Sequence, residues 1–187
     1  SLSLNERQRV AGRMQRAVLT MPPGASCLLA SMFALMAGLK IGWQKRRTTR
    51  EERLNYWYFR NILKMNMGRG YFNTDQFSKG PHVQSDASKQ AKYAGGGWCS
   101  SDGNYDWFRY GSAASRKCID FLEGDTVVSC VNDLASGWKK KWIPFGVDNQ
   151  AFQKSAVKGW SRAERITLLL KRLFVSMIEY DFLLAFY

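Results

Sequence analysis

The first apolar positions of the chain recur at a spacing of three or four residues. They predict an amphipathic helix near residues 4–20, and its buried stripe comprises Ala11, Met14, Val18 and Met21. Ser3 and Glu6 stand in the pattern of a capping box, in which each side chain accepts a hydrogen bond from the backbone N–H of the other residue. Pro22 and Pro23 then end the helix. The remaining faces are expected to carry the arginines of this segment, Arg7, Arg9, Arg13 and Arg16.

Residues 25–40 are apolar on nearly every side, which predicts a helix in the centre of the core. The alternative is a membrane segment. The stretch from Gly24 to Leu39 has only 16 residues, however, whereas a helix that crosses a bilayer needs ~20. We therefore expect a core helix.

Two further segments have helical periodicity. Near residues 49–65, a capping-box pattern at Thr49 precedes an apolar stripe, and this stripe comprises Leu54, Tyr58, Ile62 and Met65. Near residues 162–187, a capping-box pattern at Ser161 opens the longest periodic segment of the chain. Such a long helix is expected to be the spine of the fold or a contact between copies of the chain.

The middle of the chain is rich in glycine, serine, asparagine and aromatic residues, and it predicts loops with short strands. Asp102-Gly103 lies between alternating runs and predicts a hairpin with a type I′ turn, which brings Trp98 towards Tyr105 or Trp107. Residues 113–122 predict a short helix that ends at Gly124. Residues 126–131 are compatible with a helix or a strand, and residues 143–146 with a turn or an edge strand.

These elements predict a mainly α protein, with helices near 4–20, 25–40, 49–65 and 162–187 and a small, loop-rich insertion that contains a β-hairpin. We expect a single domain over residues 1–187. Its subdivisions are a basic helical part (1–67), the glycine- and aromatic-rich insertion (68–133) and a basic C-terminal helical part (134–187).

Positive charge is concentrated at the two ends of the sequence. The 187 residues include 28 Lys and Arg against 15 Asp and Glu, a net charge of +13. Residues 1–70 hold 13 basic and 3 acidic residues, whereas residues 71–133 hold 6 and 8. An even distribution for solubility would not give this asymmetry, which favours an anionic partner.

Clustered arginine and lysine residues are what phosphate binding requires. In the predicted helix 49–65, Arg53, Trp57, Arg60 and Lys64 fall on one face, and an indole there is able to stack on a base. The alternative is an ordinary solvated face. The candidate nucleic-acid-binding residues are Lys45, Arg46, Arg47, Arg50, Arg53, Trp57, Arg60, Lys64, Lys139, Lys140 and Lys141.

The aromatic residues of the insertion form a second candidate. Interleaved rings and a cation are able to make a stacking platform for single strands, but equally they serve as the core of a small β element. The residues concerned are Tyr93, Trp98, Tyr105, Trp107, Phe108, Arg109 and Tyr110.

Several kinds of chemistry lack the residues they need. His82 is the only histidine and is expected on the surface, which excludes two-histidine metal sites. The cysteines show no CxxC spacing, so a zinc ribbon is not expected. A group of acidic residues offers Mg²⁺ ligands for a nuclease, but the same residues suit turns and helix caps. This group comprises Asp102, Asp106, Asp120, Glu123 and Asp125.

We therefore expect a nucleic-acid-binding protein, for RNA or DNA, that contacts the phosphate backbone and stacks on bases. A viral, phage or plasmid nucleoprotein, or a replication or regulatory accessory protein, would fit. No catalytic residue, metal ligand or cofactor is expected. One alternative is a matrix-type protein that associates with anionic membranes and self-assembles through its C-terminal helix, and the other is a metal-dependent nuclease. The absence of a signal peptide or glycosylation sequon favours an intracellular or virion location.

Overall fold

The computed structural model describes residues 1–19, 21, 24–65 and 76–187. Thr20, the prolines predicted to end the first helix, Pro22 and Pro23, and residues 68–75 of the predicted insertion lie outside the described residues.

Three helices form the amino-terminal part of the fold. They are α1 (Leu4–Val18), α2 (Ala30–Met36) and α3 (Arg50–Met65). The predicted capping box of α1 is confirmed, because Glu6 N donates to Ser3 Oγ and Ser3 N donates to a Glu6 carboxylate oxygen. Thr49 Oγ1 likewise accepts from Glu52 N at the start of α3. Strands β1 (Leu2–Ser3) and β2 (Lys45–Arg46) pair in antiparallel orientation beside these helices.

Arg7 was expected on an exposed face of α1, and this expectation is wrong. Its side chain is fully buried and forms an ion pair with Glu52, which is also fully buried, on α3. Arg7 also donates to the carbonyl oxygen of Arg46 at 2.8 Å, and Tyr56 Oη donates to Glu52 at 2.9 Å. The pair therefore joins α1 to α3 across the interior.

The apolar segment 25–40 is divided between a 3-10 turn, Ala25–Leu28, and helix α2. Cys27, Leu28 and Met32 are completely buried, and burial raises the pKa of the Cys27 thiol to about 12. Within the part of the chain that the structure describes, no helix has both the length and the apolar character needed to cross a membrane.

The second half of the chain builds a mixed sheet. Its strands are β3 (Ser78–Lys79), β4 (Val83–Lys89), β5 (Ala94–Ser100), β6 (Tyr105–Arg109), β7 (Lys141–Val147) and β8 (Leu183–Phe186). Strands β4, β5 and β6 form an antiparallel meander. Strand β7 pairs in parallel with β8 along one edge and with β3 and β4 along the other.

The predicted mainly α fold is therefore wrong, because the protein has a mixed α/β fold with a six-stranded sheet. Residues 143–146, expected in a turn or edge strand, lie in β7 between β8 and β4. The apolar run that forms this strand is buried, as is usual for parallel strands covered by helices.

Helix α4 (Ile119–Leu134) packs against β4 and β5. The predicted helix end at Gly124 is wrong, since α4 continues through this residue for a further ten positions. A Cβ atom at Gly124 would lie 2.4 Å from the ring of Phe152 and 2.8 Å from Leu169. Gly124 is therefore explained by close packing against neighbouring helices and not by a turn.

The remaining helices are α5 (Gln150–Lys158) and α6 (Glu164–Tyr180). The predicted helix 162–187 is correct in its first part, but it ends at Tyr180, where Asp181 adopts a left-handed conformation with φ 57°. The expected capping box at Ser161 is also absent, because Ala163 occupies the N-cap position. Residues 183–186 instead pair with β7 as strand β8.

The predicted hairpin around Asp102-Gly103 is confirmed, but its turn is not type I′. A type I′ turn needs a positive φ at both central residues, but within this loop only Gly103 has one, 91°. Ser100 N donates to the carbonyl of Asn104, which closes a longer loop. In the resulting register Trp98 pairs with Asp106. Trp98 is buried, whereas Tyr105 and Trp107 are exposed on the other face, so the expected cross-strand contact of Trp98 with either residue does not form.

Candidate functional site

Two carboxylates meet where β4 and β7 stop pairing. The parallel ladder ends at the pair Ser85 and Val147, and the next residue of each strand is an aspartate, Asp86 on β4 and Asp148 after β7. Both side chains are exposed. The geometry of the sheet thus brings together two acids that are 62 positions apart in the sequence.

Glu123 on α4 completes the group. One carboxylate oxygen of each of Asp86, Glu123 and Asp148 lies within 4.8 Å of the others. Glu123 is buried, and its Oε1 accepts a hydrogen bond from Ala87 N at 3.2 Å. Its Oε2 is also buried and has no hydrogen-bond partner among the described residues.

The electrostatics of Glu123 reflect this crowding. Burial raises the pKa of Glu123 from its ordinary value of 4.5 to about 7, and the negative charges of Asp148 and Asp86 add to the shift. The hydrogen bond from Ala87 N acts in the opposite direction. Three carboxylates held this close repel one another unless a proton or a cation is present.

The group suits a hard divalent cation. Mg²⁺ and Mn²⁺ prefer carboxylate oxygens, and Mg²⁺ commonly takes only a few protein ligands while keeping several waters. A buried carboxylate oxygen without a partner is costly, and coordination would satisfy it. The residues present therefore fit a divalent cation, which Asp86, Glu123 and Asp148 would hold.

An open groove of about 1300 Å³ extends from this group across the outer face of the sheet. Asp86 and Asp148 line one part of it, and β5 and β6 form its floor. The floor includes Gly95 and Gly97, which present no side chains. The inner face of the same strands packs on α4, where Gly96 allows the close approach of Thr126.

The aromatic residues of the insertion are divided between the two faces. Trp98, Phe108 and Tyr110 pack against the core, so for these three the alternative of a structural role is correct. Tyr93, Tyr105 and Trp107 are exposed at 63%, 75% and 71% and line the groove.

Of the acidic residues singled out in the sequence, only Glu123 belongs to the carboxylate group. Asp102 lies in the hairpin loop and accepts from Asn104, and Asp120 accepts from the side chain of Asn149. Asp106 accepts from Trp107 N, and Asp125 lies near Tyr110. These four residues therefore have local partners elsewhere.

Asp86 and Asp148 were missed by the sequence analysis. Each had a weak signal in the sequence: Asp86 occupies a polar position in an alternating segment, Val83–Ala87, and Asp148 directly follows the apolar run of residues 143–147. The two residues are brought into one site only by the parallel pairing of β4 with β7, which the sequence does not reveal.

The predicted basic stripe of α3 lies on the surface. Arg53, Trp57, Arg60 and Lys64 are all exposed, and among the described residues none of the three cations pairs with a carboxylate. The other predicted residues of this segment, Lys45, Arg46, Arg47 and Arg50, are exposed as well. Arg46 donates to the carbonyl oxygen of Leu35 at 3.4 Å. Their role in nucleic-acid binding stays a prediction.

The lysines at 139–141 lie at the opposite end of β7 from Asp148. A strand of 7 residues spans roughly 20 Å. Lys140 forms an ion pair with Asp181 at 3.2 Å, and Lys141 donates to the carbonyl of Gly137 at 3.2 Å. Lys139 is exposed. Two of these three candidates thus have contacts within the protein.

No protein-family model matches the sequence, and no curated protein matches it. Similar solved structures include RNase H1 from the halophilic archaeon Halobacterium salinarum NRC-1, with a TM-score of 0.47 and 16% identity over 57% of this chain and 84% of that chain. LC11-RNase H1, isolated from compost by a metagenomic approach, has a TM-score of 0.46 and 11% identity over 59% of this chain and 85% of that chain. The foamy viral protease-reverse transcriptase in complex with an RNA/DNA hybrid has a TM-score of 0.35 and 13% identity over 100% of this chain, which covers 25% of the reverse transcriptase.

Proposed function

We propose that this protein binds nucleic acid and hydrolyses its phosphodiester bonds with divalent cations held by Asp86, Glu123 and Asp148. The observation that carries this proposal is the convergence of three carboxylates from β4, α4 and the end of β7. An enzyme was not the first expectation from the sequence. The metal-dependent nuclease was an alternative there, and it was based on a different set of acids that shares only Glu123.

The position of each carboxylate supports a division of labour. Asp86 and Asp148 are exposed at the groove and are accessible to a phosphate and its cation, whereas Glu123 is buried behind them. The hydrogen bond from Ala87 N holds Glu123 Oε1 in place and leaves Oε2 for coordination. Without a cation, the pKa of about 7 means that Glu123 carries a proton for much of the time near neutral pH.

A bound divalent cation supplies Lewis-acid activation of water and neutralises charge on the phosphate. The carboxylates alone would repel a phosphodiester, so substrate binding and cation binding are coupled at this site. Asp86 and Asp148 would fix the position of the cation, and thereby that of the scissile phosphate, because they stand at fixed positions where the paired strands end.

Nucleic acid is the phosphodiester that the rest of the molecule favours. The net charge of +13 promotes association with a polyanion. The exposed cations of α3 would contact phosphates outside the cleavage site, and the aromatic groove accepts bases.

The proposal is tested by incubating the purified chain with labelled single-stranded RNA, single-stranded DNA, duplex DNA and an RNA/DNA hybrid, each with Mg²⁺, Mn²⁺ or EDTA. We expect cleavage of at least one substrate that requires the cation. Asp148→Asn and Asp86→Asn should each reduce the cleavage rate by at least ~100-fold, since each removes a charged ligand.

Asp102→Asn is the matched control, because Asp102 is an exposed acid in the hairpin loop outside the carboxylate group. It should cleave at the rate of the unmodified protein. Cleavage that survives Asp148→Asn, or that is absent with all four substrates and both cations, would contradict the proposal.

A further inference from the structure

Trp107 lies in the same transverse row of the sheet as Asp86. Asp86 pairs with Gly97 on β5, and Gly97 pairs with Trp107 on β6. Directly paired residues point to the same face, so the indole and the carboxylate both face the groove. The two Cα positions are separated by two strand spacings, or roughly 10 Å.

The glycine between them keeps this row open. Gly97 has an ordinary backbone conformation, so its φ does not require glycine. A Cβ atom there would lie 3.3 Å from the carbonyl oxygen of Asp106 and 3.5 Å from Trp107 Cβ. Any larger side chain would occupy the space between the indole and the carboxylate.

A second row adds a cation. Ser88 pairs with Gly95, and Gly95 pairs with Arg109 at the other end of β6. The Arg109 guanidinium lies 5.9 Å from the ring centroid of Tyr93, and both residues line the groove. The floor therefore presents the indole of Trp107, the exposed ring of Tyr105 and the Arg109 guanidinium near the Tyr93 ring. Gly97 lies between Trp107 and Asp86 and Gly95 lies beside Arg109, whereas Cys99 lies beside Tyr105.

We infer that the groove on the outer face of β5 and β6 binds a single-stranded segment of nucleic acid. The base of a nucleotide beside the scissile phosphate stacks on Trp107. Arg109 contacts a phosphate farther along the same nucleic acid. This inference rests on the proposed function, because the same groove leads to Asp86 and Asp148.

A single strand fits this surface better than a duplex or an apolar protein segment. Unpaired bases expose their faces and stack on aromatic side chains with little dependence on sequence. The exposed rings share the groove with the charged groups of Arg109 and Asp86, which an apolar protein segment would bury without partners. The Arg109 guanidinium in the groove offers charge to a phosphate.

The test is the fluorescence anisotropy of a short fluorescein-labelled single strand and of its fully paired duplex, titrated in Mg²⁺ with protein that carries Asp148→Asn, so that the cation is present but cleavage is not expected. Trp107→Ala should weaken single-strand binding by roughly 5- to 150-fold, the range for loss of one stacked base. Trp107→Phe should restore most of the affinity because it retains an aromatic face. Duplex binding should change less than single-strand binding.

Two further variants control for other causes. Trp43→Ala removes an indole that is 76% exposed and does not line the groove, and it should leave the dissociation constant unchanged. Gly97→Val keeps the indole but fills the space beside it, and it should weaken single-strand binding as Trp107→Ala does. Circular dichroism confirms that each variant is folded.

The outcomes separate this inference from the proposed function. If cleavage depends on Asp148 but Trp107→Ala binds the single strand normally, the stacking surface is refuted and hydrolysis stands. If Trp107→Ala weakens binding but no cleavage occurs, hydrolysis is refuted and the stacking surface stands. If Trp107→Ala changes only the association state of the protein, the face is a protein contact and the inference fails.

Discussion

Asp86 and Asp148 are the first residues beyond the point at which β4 and β7 stop pairing. The last pair of that ladder, Ser85 with Val147, places the two aspartates side by side at the edge of the groove. Glu123 approaches them from α4, which packs on the other face of the sheet. The site therefore depends on the sheet register and on the depth at which α4 lies against it.

The stability of the protein should depend on pH through Glu123 when divalent cations are absent. The pKa of Glu123 is raised from 4.5 to about 7 in the folded state, so the folded protein binds more protons than the unfolded chain between these values. The free energy of unfolding should then fall as the pH rises from 4.5 to about 7 and stay lowered above it. Urea unfolding in EDTA across this range measures the effect.

Two comparisons isolate that contribution. Glu123→Gln should remove it, whereas Glu179→Gln, at an exposed position on α6, should retain it. At pH values above 7, Mg²⁺ should raise the urea concentration at the unfolding midpoint of the unmodified protein. It should raise that of Glu123→Gln much less. If the urea midpoint in EDTA instead rises with pH in the unmodified protein but not in Glu123→Gln, the raised pKa of Glu123 is contradicted.

Alanine substitutions at two helical glycines should have opposite effects. Gly124→Ala places a methyl group 2.4 Å from Phe152 and should destabilise the fold by about 1–3 kcal/mol. Gly12→Ala on α1 meets no atom within 4 Å and should stabilise the fold by about 0.5–1 kcal/mol. Thermal unfolding followed by circular dichroism measures both changes. Equal effects would show that α4 does not pack closely at Gly124.

Loss of the buried Arg7 side chain should destabilise the fold much more than loss of an exposed arginine on α1. Arg7→Met leaves Glu52 buried without its cation and should cost about 3–5 kcal/mol. Arg9→Met, at an exposed position of the same helix, should change stability by less than about 0.5 kcal/mol. Combining Arg7→Met with Glu52→Leu should recover much of the loss in chemical denaturation. No recovery would indicate that the ion pair itself, and not the unpaired charge, stabilises the contact.

The basic stripe of α3 should contribute to nucleic-acid affinity through phosphate contacts. Replacing Arg53, Arg60 and Lys64 together with alanine should weaken binding and lower the slope of log affinity against log salt by roughly two to three. Filter binding across a salt series measures both quantities.

A matched set distinguishes local contact from net charge. Replacing Arg9, Arg13 and Arg16 on α1 removes the same charge from another exposed face. The α3 set should have the larger effect. If the two triple variants lose equal affinity, the net charge of the protein and not the α3 stripe determines binding. If the α3 variant binds with unchanged affinity, the stripe is not part of the binding surface.

Local patterns in the sequence were sufficient for the starts of helices α1 and α3. Ser3, Glu6 and Thr49 make short-range hydrogen bonds to their own helix ends, so their roles depend only on neighbouring residues. The hairpin near Gly103 was predictable for the same reason. The sequence also established the excess of positive charge and excluded metal sites with two or more histidine ligands.

Sequence patterns were ambiguous wherever tertiary contacts decide the conformation. Gly124 resembles a helix end in the sequence, but it lies within α4. It is a glycine there because Phe152 and Leu169 occupy the space that a side chain would need. The apolar run 182–186 suits a helix or a strand, and pairing with β7 selects the strand. Arg7 resembles an exposed helix residue until Glu52 from α3 is placed opposite it.

By itself, then, the sequence determined the basic character of the protein and the starts of α1 and α3, and it offered Glu123 only within an alternative group of acids. The tertiary structure alone decided that Asp86 and Asp148 join Glu123, since their meeting depends on parallel pairing between strands that are distant in the chain. It also decided which aromatic residues face solvent, because a single residue of register moves a side chain to the opposite face of a sheet.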